Sequence, residues 1–207
     1  MRTRWNGLGF VVAAVALSTM GACKAKDGER ATADSIAMAE SAAAADTTSR
    51  ANVSNEGWTD AQILAFAAAG DSGEIAEGKL AQTKATNAQV KAFGKQLVTD
   101  HQAMLRDGRQ FATAHNITPD STKNDVTDLR KDARDELKDL TDKQAGADWD
   151  KEFLDKQIDG HKEVLGKLQD AAKATTDSSL RQMLTKASGK VQEHLTKAQA
   201  LKDNYKG

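Results

Sequence analysis

A sustained helical pattern from Trp58 onward is the feature that most constrains the fold. Apolar and small residues recur there at spacings of three and four, and Pro119 is the only proline in the 207-residue chain. This spacing places apolar side chains on one face of an α-helix, and without proline a helix can continue for many turns. Four long helices are predicted, and they run over residues 59–84, from 87 through 111, over 148–173 and from 178 through 201.

The connections between these helices predict their arrangement. Short loops near residues 86 and 177 make two antiparallel hairpins, whereas residues 116–147 form a long crossover between them. Four apolar residues in the crossover predict an extra, mostly polar helix on the surface of the bundle. They are Val126, Leu129, Leu137 and Leu140. The expected fold class is therefore all-α, with an antiparallel four-helix bundle over residues 58–207.

Three of the four histidines, His101, His161 and His194, fall inside the apolar stripes of three different helices. Residues of an antiparallel hairpin lie at the same height when their numbers average to the centre of its loop. Glu74 and His101 average to 87.5, and His161 and His194 average to 177.5, close to the two loops. At a rise of 1.5 Å per residue, each pair lies about 20 Å from its turn. The four side chains are therefore predicted at one level of the bundle.

Three imidazoles with one carboxylate suit a single transition-metal ion such as zinc, iron, manganese or copper. The predicted ligands are Glu74, His101, His161 and His194, with Glu77 and Asp71 as reserve ligands. Under this hypothesis the protein has a metal-handling or stress-protective role. The pattern identifies no catalytic residue and no particular protein partner.

A di-iron centre requires a different pattern. Such centres take a Glu-x-x-His motif from each of two helices, because bridging carboxylates neutralise the two cations. The residues three positions before the histidines are Val98, Ile158 and Val191. The sequence therefore favours at most a mononuclear site.

The competing hypothesis is that the histidines are core residues whose ring nitrogens bind a carboxylate or water. The protein would then be a non-catalytic interaction or structural module. The fourth histidine, His115, stands in the last turn of the second helix, where we expect it to interact with the helix dipole rather than with a metal.

The N-terminus predicts export. Arg2 and Arg4 precede an apolar run from Gly9 to Leu17, which is too short for a permanent membrane span, and small residues follow. Residues 1–22 are therefore predicted to be a signal peptide. Cys23, the only cysteine, stands where a lipoprotein signal is cut, so we expect lipid attachment at Cys23 and a membrane anchor.

Cleavage near Ala22 with release into the periplasm is the alternative, because Met20 and Gly21 depart from the usual lipoprotein motif. With lipidation, Lys24 favours the outer membrane, so the expected location is the periplasmic side of the cell envelope. Residues 23–57 are rich in alanine and small polar residues and are predicted to be a flexible tether.

Charge excludes one class of function. Removal of Arg2 and Arg4 with the signal peptide leaves 27 basic and 30 acidic residues, a net charge of −3. A protein that binds nucleic acid through its phosphates needs a basic surface, and this composition does not indicate one. We therefore expect no nucleic-acid partner.

Several short segments resemble the uncharacterised bacterial DUF4142 family, whose members are often labelled outer-membrane proteins. They are Glu74–Ala81, Val90–Gly94, Asp100–His101, Asp148–Phe153 and His194–Leu195. The resemblance spans about residues 58–204. It implies a ferritin-like four-helix bundle of two hairpins joined by a long crossover that contains the extra helix. It also carries Glu74, His101, His161 and His194 as matching positions, but it implies no reaction.

Overall fold

The computed structural model describes residues 57–206, and this part of the chain is all-helical. It contains five helices, which are α1 Asp60–Lys84, α2 Ala88–Ala114, α3 Asn124–Asp142, α4 Ala147–Ala174 and α5 Ser178–Asp203. The predictions of an all-α fold and of an extra helix in the long connection are confirmed. The predicted signal peptide, Cys23 and the predicted tether up to residue 56 lie outside the described residues.

None of the five helices between residues 57 and 206 is long and apolar enough to cross a membrane.

Side-chain caps set the first turns of three helices. The Thr59 hydroxyl accepts a hydrogen bond from the backbone N–H of Gln62, whose side chain accepts one from the backbone N–H of Thr59 in return. Asn87 caps α2 and Asp177 caps α5, each by accepting two backbone N–H groups. Such a cap contributes about 1 kcal/mol by satisfying donors that have no partner within the helix. The short connections before α2 and α5 are therefore fixed by local sequence.

The helices of each hairpin run antiparallel and pack closely. On α1 and α2, the pair Gly78 and Gly94 and the pair Asp71 and His101 meet, and both pairs are centred on residue 86 in the connection. A β-carbon at Gly94 would lie 2.6 Å from the Cβ atom of Ala81, so the backbones approach as only glycine allows. The small residues of α1 thus serve close helix packing.

α3 packs mainly against α1 and makes a smaller contact with α4. A β-carbon at Gly73 would lie 2.9 Å from the Cβ atom of Ala133, which shows how closely α3 approaches α1. Val126 and Leu140 of α3 are fully buried, whereas most of its other residues are charged or polar and lie towards solvent. The extra helix therefore covers α1 with a narrow apolar face.

One end of the four long helices is tightly packed. Phe93, Trp149 and Phe153 are fully buried there, and the rings of Trp149 and Phe153 stack with centroids 5.4 Å apart. The buried carboxylate of Asp150 accepts hydrogen bonds from the backbone N–H groups of Thr86 and Asn87 and from two hydroxyls. This end is closed by an aromatic layer and by a carboxylate that anchors the first hairpin loop.

Candidate metal centre

The rings of His101, His161 and His194 lie together between α2, α4 and α5. The three residues are 3%, 2% and 0% exposed. Their ring centroids are 5.1 to 5.7 Å apart, and one nitrogen from each ring lies within 4.8 Å of the other two. The structure therefore brings together the three histidines that their helical spacing predicts as neighbours.

Two of these rings are each oriented by a different carboxylate. His101 Nδ1 lies 2.9 Å from Asp71 Oδ1, and His194 Nε2 lies 2.8 Å from Asp100 Oδ2. A neutral imidazole that donates its N–H to a carboxylate presents a lone pair on its other nitrogen, which is the form that binds a metal. Among the described residues, His101 Nε2 and His194 Nδ1 are buried and have no hydrogen-bond partner.

The third ring, that of His161, is held by a looser contact. Its Nδ1 lies 3.4 Å from Glu74 Oε1. Within residues 57–206, both nitrogens of His161 and Glu74 Oε2 are buried and have no hydrogen-bond partner. Each buried polar atom without a partner costs about 1–3 kcal/mol. The cluster therefore gains stability from any ion or molecule that satisfies these atoms.

The carboxylates are arranged differently from the expected ligand set. His101 pairs with Asp71, a predicted reserve ligand, because the first hairpin is centred on residue 86 rather than on 87.5. Glu74 lies beside His161 instead, and the cluster of donor atoms within 4.8 Å consists of the three histidines. Glu77, the other reserve ligand, accepts a hydrogen bond from the side-chain amide of Gln157 at 2.8 Å.

Asp100 is a functional candidate that sequence reasoning did not identify. It precedes His101 on α2, so its side chain points about 100° around the helix from that histidine and reaches His194 on α5. The adjacent pair Asp100 and His101 was the available signal, because two helix partners can each receive one side chain of such a pair. His115 caps the C-terminus of α2 and stacks on Phe111, away from the cluster.

Burial lowers the pKa of two of the three histidines. Loss of water lowers the pKa of His161 below its ordinary value, and it lowers the pKa of His194 to about 4. Burial alone would also lower the pKa of His101, but the hydrogen bond to Asp71 and the charge of Glu74 raise it overall. His161 and His194 are therefore neutral at pH 7, as metal ligands must be.

The spacing of the nitrogens limits how an ion could be held. Nitrogens bound to one zinc ion at about 2.1 Å can be at most about 4.2 Å apart. The three donor atoms span up to 4.8 Å. Binding of one ion by all three rings would therefore draw them closer through small side-chain rotations.

The fold and this site define a helical protein with a buried cluster of histidines and carboxylates. The family model described as "Domain of unknown function (DUF4142)" matches residues 38–201, and the chain belongs to this family. The match begins inside the predicted tether, and its residues 38–56 lie outside the described part of the chain. No curated protein and no solved structure matches the chain. The geometry of the site must therefore carry any argument about function.

The lowered pKa of His194 predicts how the stability of the metal-free protein depends on pH. The unfolded state binds a proton at His194 near pH 6.5, whereas the folded state resists it until about pH 4. This histidine therefore removes stability as pH falls from about 6.5 to 4, by up to about 3 kcal/mol. In His194→Gln this loss is absent, so the stability of wild type relative to the variant should fall in that window.

Urea unfolding of both proteins at a series of pH values, with chelator present, measures this difference. Titratable groups that do not interact with His194 are common to both proteins, so their titration cancels to first order. A difference in unfolding free energy that stays constant from pH 7.5 to 4 would show that His194 is accessible to protons in the folded state.

Proposed function

We propose that this protein binds one transition-metal ion through His101, His161 and His194. The observation that carries the proposal is that the three buried rings converge and present nitrogens that have no partner among the described residues. Two of these rings are already oriented by Asp71 and Asp100. Carboxylates that orient metal-binding histidines in this way commonly increase metal affinity 10- to 100-fold.

The ligand chemistry supports a single divalent ion. Imidazole suits zinc, copper and iron, and the carboxylates beside the rings also admit manganese. Three neutral imidazoles leave the charge of the ion uncompensated, and the nearby carboxylates of Asp71 and Asp100 balance it. A bridged pair of ions is disfavoured, because Val98, Ile158 and Val191 stand where the Glu-x-x-His motif would supply carboxylates.

Glu74 is the remaining candidate ligand. Its Oε1 atom already lies 3.4 Å from His161, and its other oxygen has no hydrogen-bond partner among residues 57–206. If Glu74 completes a set of four ligands, the site is closed and structural. If it only orients His161, the ion keeps an open position, which is the arrangement of catalytic sites.

We further propose that α1, α2, α4 and α5 form a ferritin-like four-helix bundle, with α3 as an addition to its surface. The two antiparallel hairpins and the long connection between them support this arrangement. In such bundles, metal ligands project inward from facing helices, as the three histidines do here.

The proposed location is the periplasmic side of the cell envelope, with the chain anchored to the outer membrane through a lipid at Cys23. The order of charged, apolar and small residues before this single cysteine supports the proposal. The metal site would then act in metal handling or in protection against stress in the envelope.

Labelling growing cells with an alkyne-tagged fatty acid tests the anchor. The protein should incorporate the label, and Cys23→Ser should not, because acylation requires the thiol. A wild-type chain that is exported but stays unlabelled would indicate cleavage without lipidation.

Metal binding is tested by titrating the purified chain with Co²⁺ and recording its visible d–d absorption. Wild type should bind one ion per chain. His101→Ala, His161→Ala and His194→Ala should each weaken binding by more than about 100-fold, since each removes a direct ligand. His115→Ala is the matched control, because this histidine lies outside the cluster, and it should bind like wild type.

Circular dichroism of each variant verifies that the helices remain folded. Less than about a tenth of an ion per chain in wild type, or equal affinity in His115→Ala and His161→Ala, would contradict the proposal. The histidines would then be core residues, and the protein would be better described as a non-catalytic interaction or structural module of the envelope.

A further inference from the structure

A cavity of about 740 Å³ opens on one side of the histidine cluster. It lies between the N-terminal half of α1, the C-terminal halves of α2 and α4, and the N-terminal half of α5, beside residues 116–119. This is the end of the helices opposite the aromatic layer around Trp149. The histidines therefore stand between a packed end and a hollow end.

The walls of the cavity are apolar over most of their length. The large side chains that line it include Leu64, Met104, Val164, Leu168, Leu184 and Val191. At the outer part, Asp107 and Lys186 form an ion pair 3.2 Å apart. A molecule that fills this cavity would thus contact apolar side chains along most of its length.

The polar groups of the cavity are concentrated at its inner end. The rings of His101 and His161 line it there, together with the carboxylates of Asp71, Glu74 and Asp100. Both rings are at least 97% buried and carry nitrogens that lack a hydrogen-bond partner in the part of the chain that the structure describes. A polar group that reaches the inner end would satisfy one of these nitrogens or bind an ion that the histidines hold.

The dimensions fit a small elongated molecule. From His101 to Ala112, both of which line the cavity, α2 rises about 17 Å at 1.5 Å per residue. The volume lies within the range of about 300–1,000 Å³ that is typical of small-molecule sites. Water molecules bind weakly in such a cavity, because each needs two to four hydrogen-bond partners and the walls offer few.

We propose that this cavity binds an elongated apolar molecule. Its head group carries one neutral oxygen or nitrogen donor atom, and this atom reaches the histidine cluster. A neutral head group is favoured because Asp71, Glu74 and Asp100 already compensate the charge of a divalent ion, and without the ion they would repel an anion. The inference rests on the proposed function for the partner of the head group, which is the metal ion. The apolar body is bound by the walls whether or not the ion is present.

The chain offers a matched pair of variants to block the cavity. Gly108 lines the cavity in the C-terminal half of α2, and among the described residues no atom beyond its chain neighbours and its own helix backbone lies within 4 Å of a β-carbon built there. Gly108→Phe should therefore enter the open space without disturbing the backbone. Gly166 is also half-buried, lies within α4 and has open space beside it, but it is not part of the cavity wall, so Gly166→Phe is the control.

The test uses N-methyl-, N-butyl- and N-hexylimidazole, which share one neutral donor and differ only in chain length. Calorimetry measures their affinity for the metal-free and Co²⁺-loaded full chain, and the cobalt absorption reports coordination of the donor. In wild type and in Gly166→Phe, affinity should rise about three- to fourfold for each added methylene. In Gly108→Phe the gain from methyl to hexyl should be less than tenfold in total, while Co²⁺ binding stays unchanged.

The outcomes separate the two proposals. Equal affinity of wild type for the methyl and hexyl compounds, or the same gain in Gly108→Phe as in Gly166→Phe, would overturn the cavity proposal even if cobalt binds. A chain-length gain that Gly108→Phe abolishes in a protein without the cobalt absorption would support the cavity and overturn the metal site. A gain with a shift of the cobalt absorption supports both.

Discussion

Burying three imidazole rings beside one another removes their nitrogens from water, and each nitrogen then needs a partner. Asp71 and Asp100 supply two partners, and they do so because the register of the helices places them opposite His101 and His194. The other nitrogen of each ring is buried and has no hydrogen-bond partner among the described residues. The free-energy cost of burying polar atoms is thus concentrated in one small region of the core. A ligand that binds there would stabilise the fold by satisfying these atoms.

The register itself is set by features far from the cluster. Close contact between Gly78 and Gly94 fixes the height of α1 against α2, and the carboxylate of Asp150 holds the loop between them. Aromatic rings fill the core below the histidines, whereas a cavity lined mostly by apolar side chains lies above them. A packed end below the histidines and an open cavity above them are the arrangement that the proposed site requires, because its ligands must stay in place while a molecule enters.

Much of the fold and the position of the histidine cluster could be predicted from the sequence, since both depend on local patterns. The four long helices and the extra one follow from apolar spacing and from caps such as Asn87 and Asp177, and the meeting of the three histidines follows from their distance to the loops. The carboxylate partners could not be assigned correctly, because a shift of 1.5 residues in the loop centre exchanges Glu74 for Asp71 opposite His101.

Asp100 and the cavity show a second reason why part of the site could not be predicted from the sequence. The role of Asp100 depends on which helix packs beside α2, and the hollow end depends on how side chains of four helices fill space together. Both are properties of the assembled fold, and neither leaves a periodic signal along the chain. The sequence pattern locates the histidine level, whereas its surroundings emerge only from the packing.

X-ray absorption spectroscopy of the zinc-loaded protein identifies the atoms bound to the ion, and so it distinguishes the histidine cluster from any other site. Zinc bound by His101, His161 and His194 should show nitrogen ligands at about 2.0–2.1 Å with the outer-shell scattering of three imidazole rings. A shell made only of oxygen atoms, without imidazole scattering, would place the ion on surface carboxylates and contradict a metal site at His101, His161 and His194.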